Sequence, residues 1–414
     1  MATPRITPGS LRSSFVWTFA GNGVYAASQW AMLSLIAKLG DSRMLGHYAL
    51  ALAVSTPVVM LAHLNLRAVL ATDIARRYPL GDYLAVRLLT SLAGLAAVAV
   101  LAWTAGENRE VTLVILLAGL AQLVETISDI YYGALQRRER MDRIARSMMA
   151  RAMVSVAALG LVLWLTRDLV AAAAALVLAR AVVLLAYDRP RGSAAENLAR
   201  SGWRPQWIIL RTALPLGVVL MLVSLNTNLP RYAIERALGA PGLGVFAAVA
   251  SFAAVGATVM NALGQAATPR LARYFSQRDL ASFRRLMLQL AGLSLALGAA
   301  GVLVSALFGK LVLRLVYRPE YAVHAPLLVA VMAAAAPGYL AIALGYVITS
   351  ARAFAAQVPL FCAVAASCAV ASWWLVPRFG LTGAALALAI AAGVQILGGL
   401  WILARACRRS EVAP

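Results

Sequence analysis

The chain has 414 residues, 62% of them hydrophobic and only 13% charged, with a formal net charge of +21. That apolar share leaves too little polar surface for a soluble protein of this length, so a membrane protein is expected. The positive balance does not point to nucleic acid, because the arginines sit in short segments between apolar runs, as in cytoplasmic loops of membrane proteins.

The first apolar run, Phe15 to Ile36, follows Arg5 and Arg12. It is too long for a signal-peptide core and is read as a retained span. Continuous apolar runs of this kind recur along the chain, each long enough for a helix to cross about 30 Å of hydrocarbon. About twelve helices are expected, over 15–37, 47–70, 85–104, 111–134, 147–166, 169–187, 208–232, 243–267, 285–308, 323–349, 355–376 and 381–404. The runs are continuous rather than alternating, and a helix satisfies its own backbone in lipid, so the fold class is all-α and polytopic.

Basic residues crowd every second connection. They include Arg76, Arg77 and Arg87, then Arg137 to Arg151, Arg189 to Arg211, Arg270 to Arg285, Arg352, and Arg405 to Arg409. The other connections are poorer in them, so both termini are expected on the cytoplasmic side of a bacterial-type inner membrane. Segment 188–207 carries Pro, Gly, Ser and arginines near mid-chain and reads as a cytoplasmic linker. It divides the chain into an N-terminal six-helix bundle (1–187) and a C-terminal one (208–414).

The halves share weak similarity at an offset of roughly 196–199 residues. Leu39 and Leu238 each open an LG stretch, LAGL recurs at Leu92 and Leu290, and RRY ending at Tyr78 matches ARY ending at Tyr274. An even number of spans per half makes the repeat parallel, a pseudo-two-fold arrangement with a central cavity between the bundles. That architecture suits alternating access by a transporter.

Polar groups at membrane depth mark candidate pathway residues. Glu125 and Asp129 lie four apart on one helical face. They read either as an ion-coupling site or as structural partners of Arg67 or Arg180. Those two arginines either bind phosphate through their forked guanidinium groups or reach back to the interface. Asn226, Asn228 and Arg231 flank Pro230, which suggests a hinge with sugar-facing groups or simply a span boundary. Asn261 and Gln265 share a face and suit either sugar hydroxyls or helix–helix bonding. Trp30, Trp103, Trp164, Trp203 and Trp207 read as interfacial anchors. Cys362, Cys368 and Cys407 have no metal or disulfide spacing, and no GxxxxGK[ST] nucleotide loop occurs, so no cofactor or metal is expected.

Several stretches resemble the polysaccharide-exporting branch of the multidrug/oligosaccharidyl-lipid/polysaccharide flippase superfamily. They are ETISDIYYGALQRRERMDRIARS from Glu125, NTNLPRYAIERALG from Asn226, VMNALGQAATPRLARYF from Val259 and GKLVLRLVYRPEYA from Gly309, with a glycine-centred turn after the first span. The resemblance covers essentially the whole chain. It implies two six-helix bundles and export of an isoprenoid-diphosphate-linked oligosaccharide, an O-antigen or exopolysaccharide repeat unit. Membrane lipids are expected partners, with a glycan polymerase and assembly proteins as further ones. The first span departs from related flippases in lacking a central arginine, and Asn22, Ser28 and Gln29 are its central polar groups. Asn22 and Gln29 therefore join the substrate-binding candidates. A cation-coupled drug or metabolite antiporter of the same superfamily is the alternative. A membrane glycan polymerase fits less well, because the outer connections are short and poor in acids.

Overall fold

A computed structural model describes residues 11–73, 77–105, 108–194, 196, 198–351 and 354–412. Arg5, Arg76, Glu107 and Arg352, and the side chains of Arg12, Cys407, Arg408 and Arg409, lie outside the described residues. The elements in chain order are α1 (Leu11–Leu39), α2 (Ser42–His63), α3 (Leu66–Thr72), α4 (Leu80–Ala105), α5 (Arg109–Arg137), α6 (Met141–Thr166) and α7 (Leu169–Val183). A π-helical turn (Leu184–Asp188) and the short α8 (Arg189–Ser193) lead to α9 (Trp203–Ser276), α10 (Leu280–Val316), a 3-10 turn (Pro319–His324), α11 (Ala325–Ser350) and α12 (Phe354–Val412). There is no strand among the described residues. Nine stretches among them are long and apolar enough to cross a membrane, so this is a multi-pass membrane protein.

Most expected spans lie within one of these helices, but 47–70 crosses the break between α2 and α3, 169–187 runs from α7 into the π-helical turn, and 323–349 begins in the 3-10 turn before α11. The runs 208–232 and 243–267 fall in one continuous element, α9, interrupted at Gly239 (φ 70, ψ −178). The runs 355–376 and 381–404 fall in α12, interrupted at Gly380 (φ 60, ψ −138). Both conformations are essentially closed to residues with a Cβ, which is why glycine marks the reversals. Pro230 does not break α9. The α-helical backbone passes it and first departs at Gly239. α1 is not among the nine membrane-length stretches, since Asn22, Ser28 and Gln29 dilute its hydropathy.

The chain clusters into two compact units, residues 1–40 with 51–221, and residues 41–50 with 222–414. In the first, α1 packs on α6, α4 on α5, and α7 on both α5 and α6. Its inner core includes Leu66, Leu70, Tyr83, Ile130 and Ile209. Small residues let the helices approach closely: a Cβ on Gly94 would lie 3.1 Å from Ala62, and one on Gly160 3.1 Å from Leu35. In the second unit α11 packs on α10 and α12.

Segment 188–207, expected as a linker, is fastened to the first unit. Glu196 is 4% exposed and pairs with Arg137 at 2.5 Å and Arg138 at 3.1 Å. Asp82, fully buried at the start of α4, accepts from the Ser201 amide at 3.0 Å and from Gln206 Nε2 at 3.3 Å. Three of its polar residues, Asp188, Glu196 and Gln206, find partners within the first unit.

In the second unit α9 and α11 are joined by a seam of hydroxyl contacts. Tyr339 donates to Ala253 O at 2.9 Å, Tyr346 to Asn261 Oδ1 at 3.1 Å, and Ser350 to Thr268 O at 3.4 Å. The Tyr346 ring lies over Gly264, where a Cβ would come within 2.1 Å of it. Gly264→Ala should therefore destabilise the protein by about 1–3 kcal/mol through overpacking. A thermal melt in detergent checks this, and adding Tyr346→Ala should recover part of the loss.

Candidate functional site

α5 carries the centre of a polar network inside the first unit. Its start is fixed by Asn108, whose side chain accepts from the Val111 amide at 3.0 Å. One turn apart along it, Glu125 and Asp129 face the same side, and neighbouring helices supply cations to both. Glu125 meets Arg180 of α7 at 2.8 Å and Arg151 of α6 at 3.4 Å. Tyr25 of α1 adds a hydrogen bond. Asp129 meets His63, at the end of α2, at 3.0 Å and Arg67 of α3 at 3.1 Å. Arg67 also donates through Nε to Gln136 at 2.9 Å.

Arg151, 3% exposed, joins this pair to a third carboxylate. Its Nη2 reaches Asp188 at 3.1 Å and Tyr132 Oη at 2.7 Å, while Ser147 donates to Asp188 and Tyr132 lies 2.6 Å from Ser147. Asp188 is fully buried. It closes the π-helical turn, whose extra residue shifts the helical register after α7.

Arg87 of α4 is also fully buried and donates to Ala62 O at 3.0 Å. That carbonyl sits where α2 stops, because Leu64 (φ 51) and Asn65 (φ 50) both adopt left-handed backbone before α3 begins. The guanidinium thus satisfies a helix end that water cannot reach. Among the described residues, the four arginines Arg67, Arg87, Arg151 and Arg180 lie about the three carboxylates Glu125, Asp129 and Asp188, so the cluster carries net positive charge.

Of the residues singled out in the sequence, the structure brings together Arg67, Arg180, Glu125 and Asp129, and pairs acid with base. Asn22 of α1 is exposed and Gln29 half-buried, and neither joins the network. The remaining candidates lie in the second unit. Asn228 donates to Ser224 O at 2.8 Å and accepts from Arg231 at 3.0 Å. Asn261 donates to Ala257 O at 2.9 Å and accepts from Tyr346, to which Gln265 makes a long 3.5 Å contact. Asn226 keeps a buried side-chain oxygen with no hydrogen-bond partner among the described residues.

Sequence reasoning missed His63, Arg87, Arg151 and Asp188. Arg87 and Arg151 sit at the edges of basic connections and read there as loop charges, and Asp188 opens what reads as a linker. A usable signal is position: each falls within a turn or two of an apolar run, where a helix extended slightly inward buries it.

Comparison with known proteins places this geometry. A family model described as "Polysaccharide biosynthesis protein" matches residues 42–275. The capsular polysaccharide biosynthesis protein CapF of Staphylococcus aureus is 24% identical over 392 residues, covering 93% of this chain and 97% of its own. Among solved structures, the lipid II flippase MurJ in an inward closed conformation superposes with a TM-score of 0.77 at 10% identity, covering 96% of this chain and 90% of its own. An inward-facing multidrug resistance transporter of the MATE family and MOP superfamily gives 0.69 at 16% identity, covering 96% of both chains. These likenesses establish an all-helical fold shared with MOP transporters.

The network makes a stability prediction. Arg151→Gln removes the cation paired with the buried Asp188 carboxylate and should cost about 3–5 kcal/mol. Adding Asp188→Asn removes the stranded charge and should recover more than half of that. Denaturant or thermal unfolding of the purified variants checks both.

Proposed function

Because the chain belongs to the polysaccharide biosynthesis protein family, we propose that it is a flippase that carries an isoprenoid-diphosphate-linked oligosaccharide from the cytoplasmic to the outer leaflet by alternating access. The observation that supports this most is the partly buried, net positive arginine network around Glu125 and Asp129. Guanidinium groups match phosphate oxygens bidentately, and here they sit at membrane depth where an anionic head has no other counter-charge. CapF is named for capsular polysaccharide and MurJ for lipid II, both glycan-related cargoes.

On this reading Arg67 and Arg180 exchange their carboxylate partners for the diphosphate. Glu125 and Asp129 hold the arginines while the site is empty and are the place where an ion couples to the cycle. Asn22, Gln29, Asn226, Asn228, Arg231, Asn261 and Gln265 offer polar groups to the sugars, with Asn226 the least committed of them within the protein. The protein acts in a bacterial-type inner membrane with both termini cytoplasmic, alongside a glycan polymerase and assembly proteins, and performs no covalent chemistry.

The membrane potential supplies a driving force. An inside-negative potential of about 100 mV favours outward movement by about 2.3 kcal/mol per negative charge. The alternative, a cation-coupled drug or metabolite antiporter, draws on the same carboxylates and on the likeness to a multidrug transporter.

Reconstitution separates the two. In vesicles carrying a lipid-diphosphate-linked oligosaccharide, the protein should accelerate loss of head-group accessibility on the loading side, and an imposed potential should bias the direction. Arg180→Gln should slow this at least about tenfold, equivalent to ~1.4 kcal/mol. Glu125→Gln with Asp129→Asn should abolish any response to a cation gradient. Transport of small organic cations with no movement of any such lipid would reject the flippase.

A further inference from the structure

The strap between α8 and α9 has a pinned side and a free side. Its pinned side is anchored at two places: Glu196 lies between Arg137 and Arg138, and the fully buried Asp82 of α4 grips Ser201 and Gln206. Gly81 seats the strap so closely that a Cβ there would come within 2.2 Å of Leu198 O. Beyond Gly202 (φ 106) the chain enters α9 with Ile209 (2% exposed) and Ala213 (0%) facing the core of the first unit.

The opposite face carries exposed indoles and guanidinium groups. Trp203 is 71% exposed, Trp207 55% and Ile208 50%, and they alternate with exposed Arg200, Arg204 and Arg211. Positions 203, 207 and 211 follow helical spacing, so indole, indole and guanidinium line one ridge, with Arg204 stacked 6.0 Å over the Trp203 ring. The carboxylates of the strap and its seat among the described residues, Asp82, Asp188 and Glu196, are all buried away from this face.

We infer that this face is a docking surface for the headgroups of acidic phospholipids, with the phosphates on Arg200, Arg204 and Arg211 and the indoles at the level of the glycerol backbone. The argument is one of complementary chemistry. A helix entering a bilayer presents its first turns at headgroup depth, where tryptophan is favoured and basic side chains attract anionic lipid. A second protein copy would bury the indoles but leave the arginines without counter-charge. The clamps at Glu196 and Asp82 hold the ridge in place before any lipid arrives, so little ordering accompanies binding. The inference does not depend on what the protein transports.

Tryptophan quenching tests it in the full-length protein reconstituted in phosphatidylcholine. The emission assigned to the ridge is the part lost in the Trp203→Phe/Trp207→Phe double variant. Brominated phosphatidylglycerol should quench that part at least about threefold more than brominated phosphatidylcholine at equal mole fraction, reflecting enrichment at the basic face. Arg200→Gln/Arg204→Gln/Arg211→Gln should bring the two quenchers level. Should that variant fold poorly, about 1 M salt added to the native protein should level them instead, by screening. Equal quenching in the native protein at low salt, or an excess that survives both the triple substitution and salt, would overturn the inference. So would displacement of the excess by a trace of polyprenyl diphosphate, which would make the ridge a substrate-head site.

Discussion

Charge burial in a low-dielectric slab governs the first unit. Three carboxylates, Glu125, Asp129 and Asp188, lie among helices that cross hydrocarbon, and each must find a cation or lose its charge. The consequences spread outward from α5. α6 and α7 present Arg151 and Arg180 at the level of Glu125, and α3 turns Arg67 onto Asp129. The chain after α7 tightens into a π-helical turn that carries Asp188 to Arg151. The break between α2 and α3 belongs to the same arrangement. It frees Ala62 O to accept from Arg87 and places His63 and Arg67 on either side of one carboxylate.

The second unit solves a different problem by different means. The contacts that join its helices in the seam are neutral: tyrosine and serine hydroxyls on helix carbonyls and amides, and Gln395 Nε2 on Ala341 O at 3.3 Å. Neutral bonds of this kind contribute only about 1 kcal/mol each in membrane proteins, so they align helices without locking a charge in place. The two units therefore differ in what a polar ligand would encounter. One offers a fixed positive field, the other hydroxyls and amides that exchange partners at low cost.

How far the fold was legible in the sequence follows from the same physics. Membrane spans are visible because hydrophobic length is dictated by bilayer thickness, and most expected runs fall inside a helix, although 47–70 straddles the break between α2 and α3. The glycine reversals at 239 and 380 were not, because a positive φ is a property of backbone conformation and many other glycines in this chain sit in ordinary helix. The site was half legible. The four-residue spacing of Glu125 and Asp129 announces a shared face, and Arg67 and Arg180 are conspicuous inside apolar runs. Arg87, Arg151 and Asp188 were hidden because one-dimensional charge counting assigns a residue near a span end to the loop, whereas a helix extending one turn further buries it. The packing of the strap was illegible for a related reason: polar composition predicts solvent exposure only when polar groups lack partners, and Glu196 and Ser201 find theirs in Arg137, Arg138 and Asp82.

A net positive cluster whose arginines are already paired has a consequence for any anion that binds there. A bare buried guanidinium would hold a diphosphate too tightly to release it, and burying it unpaired would itself be strongly destabilising. With Glu125 and Asp129 in place, an incoming anion replaces one set of charge-assisted hydrogen bonds with another, and the net gain is the small difference between them. A carrier needs this balance, since its site must accept cargo from one side and give it up on the other. The same pairing explains why the carboxylates are tolerated at all. They keep the empty state from exposing several like charges to one another, while the surplus contributed by Arg87, which has no carboxylate within ion-pair distance among the described residues, preserves the preference for an anion over a cation. In the proposed flippase, selectivity and release would then come from one arrangement: the sign set by the surplus, and the reversibility by the pairs.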